Sequence, residues 1–153
     1  MQIQIIDLPP ARVASLRYTG PYGPALGNFW RDHFLPWLQA NQLDGPTCYG
    51  VGLDDPGNTA PQQCRYDACV EVPDTFVASA PVSVITLPGG RYAVARFQGQ
   101  ASDIGAAWME MCTLVPAQGL QNDARPCFER YLPGARTDPV SGLFSCELCV
   151  AVR

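Results

Sequence analysis

The segment QIIDLPPARVASLRYTG at residues 4–20 recurs without a gap as SVITLPGGRYAVARFQG at residues 83–99. A second match follows at almost the same spacing, where RYDACVEV at 65–72 aligns with SCELCVAV at 145–152. Such a duplication is typical of two similar modules that each carry one apolar face and pack against each other. We therefore predict one domain of two internal repeats, at about residues 1–74 and 80–153, with a ligand groove at their junction.

Each repeat is predicted to form a hairpin, a helix and two further strands. The first hairpin pairs residues 2–8 with 12–18 and the second pairs 82–87 with 91–97, because proline and glycine occupy both connections. The later strands are expected at 48–53 and 65–72 in the first repeat, and at 127–132 and 143–152 in the second. Residues 133–136 are a loop by composition.

Two helices complete the pattern. The first, at 25–40, carries an apolar stripe and contains Pro36, which should kink it or end its regular part. The second begins at an N-cap Ser102 and runs to about residue 115. The two stripes are Leu26, Trp30, Phe34 and Trp37, and Ile104, Trp108, Cys112 and Val115. Two helices on a mostly antiparallel sheet give an α+β fold.

Composition excludes several classes of function. The chain has 153 residues, of which 47% are apolar and 16% charged, as in a compact domain. Its net charge is −4 and it has no basic cluster, so direct contact with nucleic acid is not expected. No apolar run approaches the length of a membrane span, and residues 1–7 lack the charged start and long apolar run expected of a signal peptide. Seven cysteines in such a chain are interpreted as reduced thiols of a cytoplasmic protein.

Neither a metal site nor a cofactor is predicted. Cys146 and Cys149 have CxxC spacing, but on a strand their side chains point to opposite faces. No second pair of ligands accompanies them, as a zinc site requires. His33 is the only histidine, and nothing else supports a nucleophilic scheme based on it.

Two of the four glutamates lie inside otherwise apolar strands and are candidate functional residues. Strand alternation places Glu129 on one face with Cys127 and Tyr131, and Glu147 on one face with Cys149. A carboxylate among aromatic groups is costly to bury unless a cation or a hydrogen-bond donor satisfies it. The alternative is a solvent-facing glutamate paired with an arginine such as Arg130, and the spacing leaves both interpretations open.

At these residues the chain resembles the GyrI-like small-molecule-binding domain family, which also supplies the effector-binding half of many transcription regulators. The resemblance covers essentially the whole chain. Its markers are GPY at 20–22, DDP at 54–56, CRYDACV at 64–70, LPGGRYAV at 87–94, PCFERYL at 126–132 and ELCVAV at 147–152. It implies an SHS2-like duplicated module with a pseudo-twofold axis and a central groove between the helices. It also implies binding of lipophilic, often cationic, molecules.

The resemblance also assigns roles to residues. Glu129 matches the acidic position of the family's Phe-Glu-x-Tyr-Leu strand, and Glu147 the acidic position of the closing strand. Trp108 matches the tryptophan of the second helix, and Tyr22 the tyrosine of the Gly-Pro-Tyr motif. With Tyr131, these residues form the expected pocket wall, and Glu129 meets the positive charge of a ligand. Cys149 stands where relatives often carry an aromatic residue.

Three functions are open, of which the resemblance implies the first two. The leading one is a stand-alone protein that captures toxic or drug-like molecules, as do relatives that bind DNA gyrase and protect against toxins. The second is a hydrolase of strained cyclopropane rings, in which Glu129 activates water and Tyr131 donates a hydrogen bond to the developing anion. The third is a protein-interaction or co-regulator subunit, which predicts a groove filled by its own side chains.

Overall fold

The computed structural model describes residues 1–135 and 137–153 and contains a single eight-stranded sheet. Its strands are β1 (Ile3–Leu8), β2 (Ala11–Thr19), β3 (Cys48–Gly52), β4 (Arg65–Glu71), β5 (Ser83–Leu87), β6 (Gly90–Gly99), β7 (Phe128–Tyr131) and β8 (Phe144–Ala151). Every pair of neighbouring strands is antiparallel. Of the predicted loop at 133–136, Arg136 lies outside the described residues.

The strand order across the sheet is β1-β6-β8-β7-β3-β4-β2-β5. Each of the first four strands has a counterpart four positions later, so that β1 corresponds to β5 and β4 to β8. If every strand is replaced by its counterpart and the sheet is read from its other edge, the strand order is the same. The two halves meet where β7 pairs with β3, so that Glu129 lies opposite Gly50 and Arg130 opposite Tyr49. At the centre of the sheet, a strand from the first half of the chain therefore pairs with a strand from the second half.

The predicted hairpins are wrong, although the strands themselves are present. β1 pairs with β6, and β5 pairs with β2. The two strands of each predicted hairpin therefore do not pair with each other. Two-residue hairpin turns need a positive φ that proline cannot adopt, and Pro9 and Pro88 begin the two connections. The β1–β2 and β5–β6 connections lie close to each other. A Cβ on Gly89 would lie only 2.4 Å from the carbonyl oxygen of Leu8, so a glycine is needed there.

The first helical region is continuous from residue 24 to residue 40 but changes its pitch. It consists of α1 (Pro24–Phe29), a π-helical turn (Trp30–Phe34) and α2 (Leu35–Ala40). Pro36 lies inside α2 and does not end the helix. Because Pro36 has no N–H and its ring crowds the preceding turn, a wider turn accommodates it, in which the N–H of Leu35 bonds to the carbonyl of Trp30.

The last helix, α3, spans Ile104–Ala117, and its N-cap is Asp103 rather than Ser102. Its buried residues are Ala107, Met111 and Val115, whereas the predicted stripe residue Cys112 is exposed. Ile104 and Trp108 pack against the core from a partly buried position. The helix also continues past Pro116, which lies in its last turn.

The apolar residues form three clusters. The α1–α2 region covers one half of the sheet on the side of Ala14, Ala68 and Val70, and α3 covers the other half on the side of Ala93 and Leu148. The third cluster lies on the opposite face of the sheet, where Tyr49, Tyr92 and Phe128 pack together. The surface above the central β7–β3 pair is therefore flanked by both helical regions.

Three further observations concern sequence predictions. None of the described helices is long and apolar enough to cross a membrane. All seven cysteines are free thiols. Cys146 belongs to the cluster under α3 and Cys149 to the cluster on the opposite face, so the strand interpretation of their CxxC spacing is confirmed.

Candidate functional site

The carboxylate of Glu129 accepts hydrogen bonds from three aromatic side chains at the centre of the sheet. Tyr66 Oη donates to Oε1 over 2.9 Å and Tyr131 Oη donates to the same oxygen over 3.2 Å. Trp108 Nε1 donates to Oε2 over 2.8 Å. Among the described residues, none of the ion pairs involves Glu129. Within the described part of the chain, the carboxylate is therefore held by neutral donors and not by a cation.

Strand alternation and both helical regions build this arrangement. Glu129 and Tyr131 share the helix face of β7, and Tyr66 reaches the same face from β4. Trp108 descends from α3, while Trp30 reaches the site from the π-helical turn and donates from Nε1 to Tyr66 Oη over 3.2 Å. The site thus combines donors from both halves of the chain.

Aromatic rings pack around the carboxylate in contact with one another. The ring centroid of Trp30 lies 5.4 Å from that of Tyr131 and 6.4 Å from that of Tyr66. Phe144 extends the group, with its centroid 6.2 Å from that of Tyr131. Glu129, Trp30 and Tyr131 are each only partly buried, so these rings surround the carboxylate without sealing the site from solvent.

Gly50 makes room for these contacts on the neighbouring strand. A Cβ at position 50 would lie 1.7 Å from Tyr66 Oη and 2.7 Å from Glu129 Oε1. Real Cβ atoms do not approach oxygen so closely, so a side chain here would displace the tyrosine. The glycine is thus required by the hydrogen bond between Tyr66 and Glu129.

Burial controls the protonation of the group. It raises the pKa of Glu129 above its ordinary value, and the hydrogen bonds from Trp108, Tyr66 and Tyr131 partly oppose that rise. Burial, followed by the charge of Glu129, holds the pKa values of Tyr66 and Tyr131 well above the ordinary phenol value. Both phenols therefore keep their protons and act as donors.

Glu147 lies on the other face of the sheet. It pairs across β7 and β8 with Arg130, whose Nη1 donates to Oε1 over 2.7 Å. Leu148, the next residue, is the one opposite Glu129. The two glutamates that the sequence singled out are thus separated, and Glu147 has the arginine partner that was left open as an alternative.

Tyr22 lies one layer behind the carboxylate. Its ring packs edge-on against Tyr66, with a centroid distance of 6.1 Å, and its hydroxyl donates to the carbonyl of Arg65. Of the expected pocket residues, the structure brings Glu129, Trp108 and Tyr131 into direct contact and leaves Tyr22 as a support. Sequence reasoning missed the direct donor Tyr66 and treated Trp30 only as part of an apolar stripe.

Two features of the sequence could have identified the site around Tyr66. Tyr66 alternates with Ala68 and Val70 in its strand, which places its phenol on an apolar face where a polar partner is required. Gly50 in the middle of a short strand indicates a close approach by another group.

Among the described residues, no group of three or more histidine, cysteine, aspartate or glutamate side chains could hold a metal ion.

Comparison with known proteins gives this geometry a context. The chain is 31% identical over 158 residues to the DNA gyrase inhibitor of Edwardsiella piscicida, covering 100% of this chain and 99% of that protein. It is 33% identical over 136 residues to the "Probable transcriptional regulator YgiV" of Escherichia coli K12, covering 86% and 84%. The solved structure of SAV2435 bound to tetraphenylphosphonium has a TM-score of 0.69 at 20% identity and covers 100% of this chain and 94% of that chain.

A partly buried carboxylate held by aromatic donors, in a sheet flanked by two helical regions, is compatible with a small-molecule-binding domain. The family model described as the GyrI-like small molecule binding domain matches residues 1–153. The chain belongs to this GyrI-like family. The resemblance seen in the sequence is thereby confirmed, together with the α+β fold of two helical regions on an antiparallel sheet.

Proposed function

We propose that the protein captures lipophilic cations at Glu129, in a groove between two modules related by a pseudo-twofold axis. The observation that carries this proposal is the Glu129 carboxylate, which accepts hydrogen bonds from Tyr66, Tyr131 and Trp108 and has no ion-pair partner among the described residues. The unchanged strand order on exchange of the repeats supports the duplicated module. SAV2435, which shares the fold, was solved with the lipophilic cation tetraphenylphosphonium.

Electrostatics favour a cation over any other ligand. A carboxylate taken out of water loses solvation, and neutral donors restore only part of it, which is why the pKa of Glu129 is raised. A ligand's positive charge next to the carboxylate recovers more of this free energy than a neutral ligand can. The surrounding rings of Trp30, Trp108 and Tyr131 supply π faces that also attract a cation.

Trp30 is the aromatic side chain best placed to move when a ligand enters the groove. Trp30 covers the hydrogen-bonded tyrosines, and it stands at the start of the π-helical turn. Its one polar contact in this group is the 3.2 Å hydrogen bond to Tyr66. We propose that Trp30 swings aside on binding, which would open the groove without disturbing the donors of Glu129.

Binding fits the geometry better than hydrolysis does. A base that activates water needs a lone pair free to accept a proton. Of the about four acceptor sites of the Glu129 carboxylate, three already accept hydrogen bonds from Tyr66, Tyr131 and Trp108, which leaves one, on Oε2, for a water. Binding of a cation, in contrast, needs only the negative charge of the Glu129 carboxylate. Contact with DNA gyrase and a cytoplasmic location both stay predictions.

The proposal is tested by two ions of the same shape and opposite charge. Isothermal titration should show saturable binding of tetraphenylphosphonium, and at least about tenfold weaker binding of tetraphenylborate, a difference of about 1.4 kcal/mol. The titrations are run at about 0.5 M salt, where the Debye length is a few ångströms and the net charge of −4 is screened. Equal affinities for the two ions would contradict the proposal, and so would a lack of binding by the cation.

A further inference from the structure

A cavity of about 770 Å³, widely open to solvent, lies on the outer flank of the first helical region, apart from the Glu129 site. Its floor is formed by Leu16 and Tyr18 of β2, its inner wall by Phe29 and Trp37, and its outer wall by Pro81 and Val82. Neither Glu129 nor any of the three side chains that donate to it lines this cavity. Its volume falls in the range of small-molecule sites, about 300–1,000 Å³.

The cavity follows from the different lengths of two strand pairings. β2 pairs with β4 as far as Thr19, but with β5 only as far as Ser15. The chain enters β5 from a turn in which the N–H of Val82 bonds to the carbonyl of Ser79. The last four residues of β2 therefore lack a neighbouring strand on this side, and the gap stays open beneath the helix.

The helix presents an ordered wall to this gap. Ala25, Phe29, His33 and Trp37 are spaced four residues apart and all line the cavity. The rings of Tyr18 and Phe29 pack with a centroid distance of 5.4 Å, and those of Phe29 and His33 with 5.9 Å. The apolar wall thus carries an imidazole that can donate or accept a hydrogen bond.

Charged groups near the cavity are already neutralised by partners. Both oxygens of Asp32 accept from the guanidinium of Arg31, over 2.8 and 3.0 Å. Arg17 donates to both oxygens of Asp67 over the same distances. The cavity therefore has aromatic walls and hydrogen-bonding groups without an unpaired charge, which is the opposite of the Glu129 site.

We propose that this cavity is a second ligand site, specific for uncharged amphiphiles with a flat aromatic body and one hydrogen-bonding group. The aromatic body would pack between Tyr18, Phe29 and Trp37, and the polar group would meet His33 or Asn28 at the rim. The site goes beyond the proposed capture of cations and does not depend on it. One chain would then hold two chemically different ligands at once.

The test uses N-phenyl-1-naphthylamine, an uncharged dye whose fluorescence rises in apolar surroundings. We expect saturable binding to the wild-type protein that tetraphenylphosphonium does not displace and that Glu129→Gln does not weaken. Ala25→Phe and Asn28→Trp, which add bulk at exposed positions lining the cavity, should each weaken binding by at least about tenfold. Ala106→Phe, at an exposed position of α3, is the matched control and should bind as wild type.

Several outcomes would overturn this proposal. Absence of dye binding would refute a site for uncharged aromatic amphiphiles. Wild-type binding by both cavity-filling variants would place the dye elsewhere. Displacement by tetraphenylphosphonium, or loss of binding in Glu129→Gln, would assign the dye to the Glu129 site. The first two of these results would leave the proposed capture of cations at Glu129 untouched.

Discussion

Substitution of Gly50 by alanine is expected to destabilise the protein by about 2–3 kcal/mol and to abolish the arrangement around Glu129. The new Cβ would overlap Tyr66 Oη, at 1.7 Å, and crowd the Glu129 carboxylate. Tyr66 is almost fully buried, at 2% exposure, so it cannot move without displacing Trp30. Urea unfolding followed by circular dichroism measures the loss of stability.

Gly52→Ala is the matched control for this substitution. It lies two residues along the same strand, and a Cβ there would meet only the Tyr22 side chain, at an ordinary contact distance of 3.8 Å. We expect its free energy of unfolding to stay within about 0.5 kcal/mol of the wild type. Similar unfolding free energies for the two variants would show that the glycine at position 50 is not required by Tyr66.

Replacement of Glu129 by glutamine is expected to weaken binding of tetraphenylphosphonium by about tenfold to a hundredfold. The amide keeps the shape of the side chain but removes the charge, and interactions of charged groups contribute on the order of 1.5–3 kcal/mol. Tryptophan fluorescence provides the readout, because Trp30 and Trp108 both lie at the site.

Glu147→Gln separates this effect from a change of net charge. It removes the same charge from the neighbouring strand, but from the opposite face of the sheet, where the carboxylate pairs with Arg130. Its affinity for the cation should stay within about twofold of the wild type. An equal loss in both variants would mean that overall charge, and not the Glu129 site, selects the ligand.

The sequence predicted the strands well because apolar alternation is a local property. β4 and β8 lie within one residue of their predicted bounds at each end. The pairing of β1 with β6 was missed because the choice of a partner strand depends on the whole fold. A local pattern does not tell whether two connected strands pair with each other or with strands elsewhere in the chain. The proline at the start of each connection was a local signal against a hairpin, since it cannot take a positive φ.

The candidate site was predicted in part for a similar reason. Alternation correctly placed Glu129 with Tyr131, but the relation between Glu129 and Glu147 depends on the register of β7 against β8. That register sets Glu147 opposite Arg130 on the other face. Tyr66 comes from a strand 63 residues away in the sequence, and only the β3–β4 and β3–β7 pairings bring it within reach.

The first helical region shows how a single proline, Pro36, changes the pattern of buried residues along a helix. The predicted stripe of the first helix assumes a regular period, but the π-helical turn inserted before Pro36 changes which side chains face the sheet. Phe29 and Leu38 are buried, whereas Trp30 and Trp37 are only partly so. The partly exposed position of Trp30 is what allows it to cover the site.

The central claim is that an ionised Glu129 holds the ligand's positive charge, and NMR titration of its carboxyl carbon tests it most directly. The chain has only four glutamates, so ¹³C-labelled glutamate gives a spectrum in which Glu129→Gln identifies the signal. Without ligand, the pKa should lie above the ordinary value because the carboxylate is buried. If the ionised form binds tetraphenylphosphonium about tenfold more tightly than the protonated form, saturation with the cation must lower this pKa by about one unit. A pKa that stays the same or rises on saturation would contradict the account.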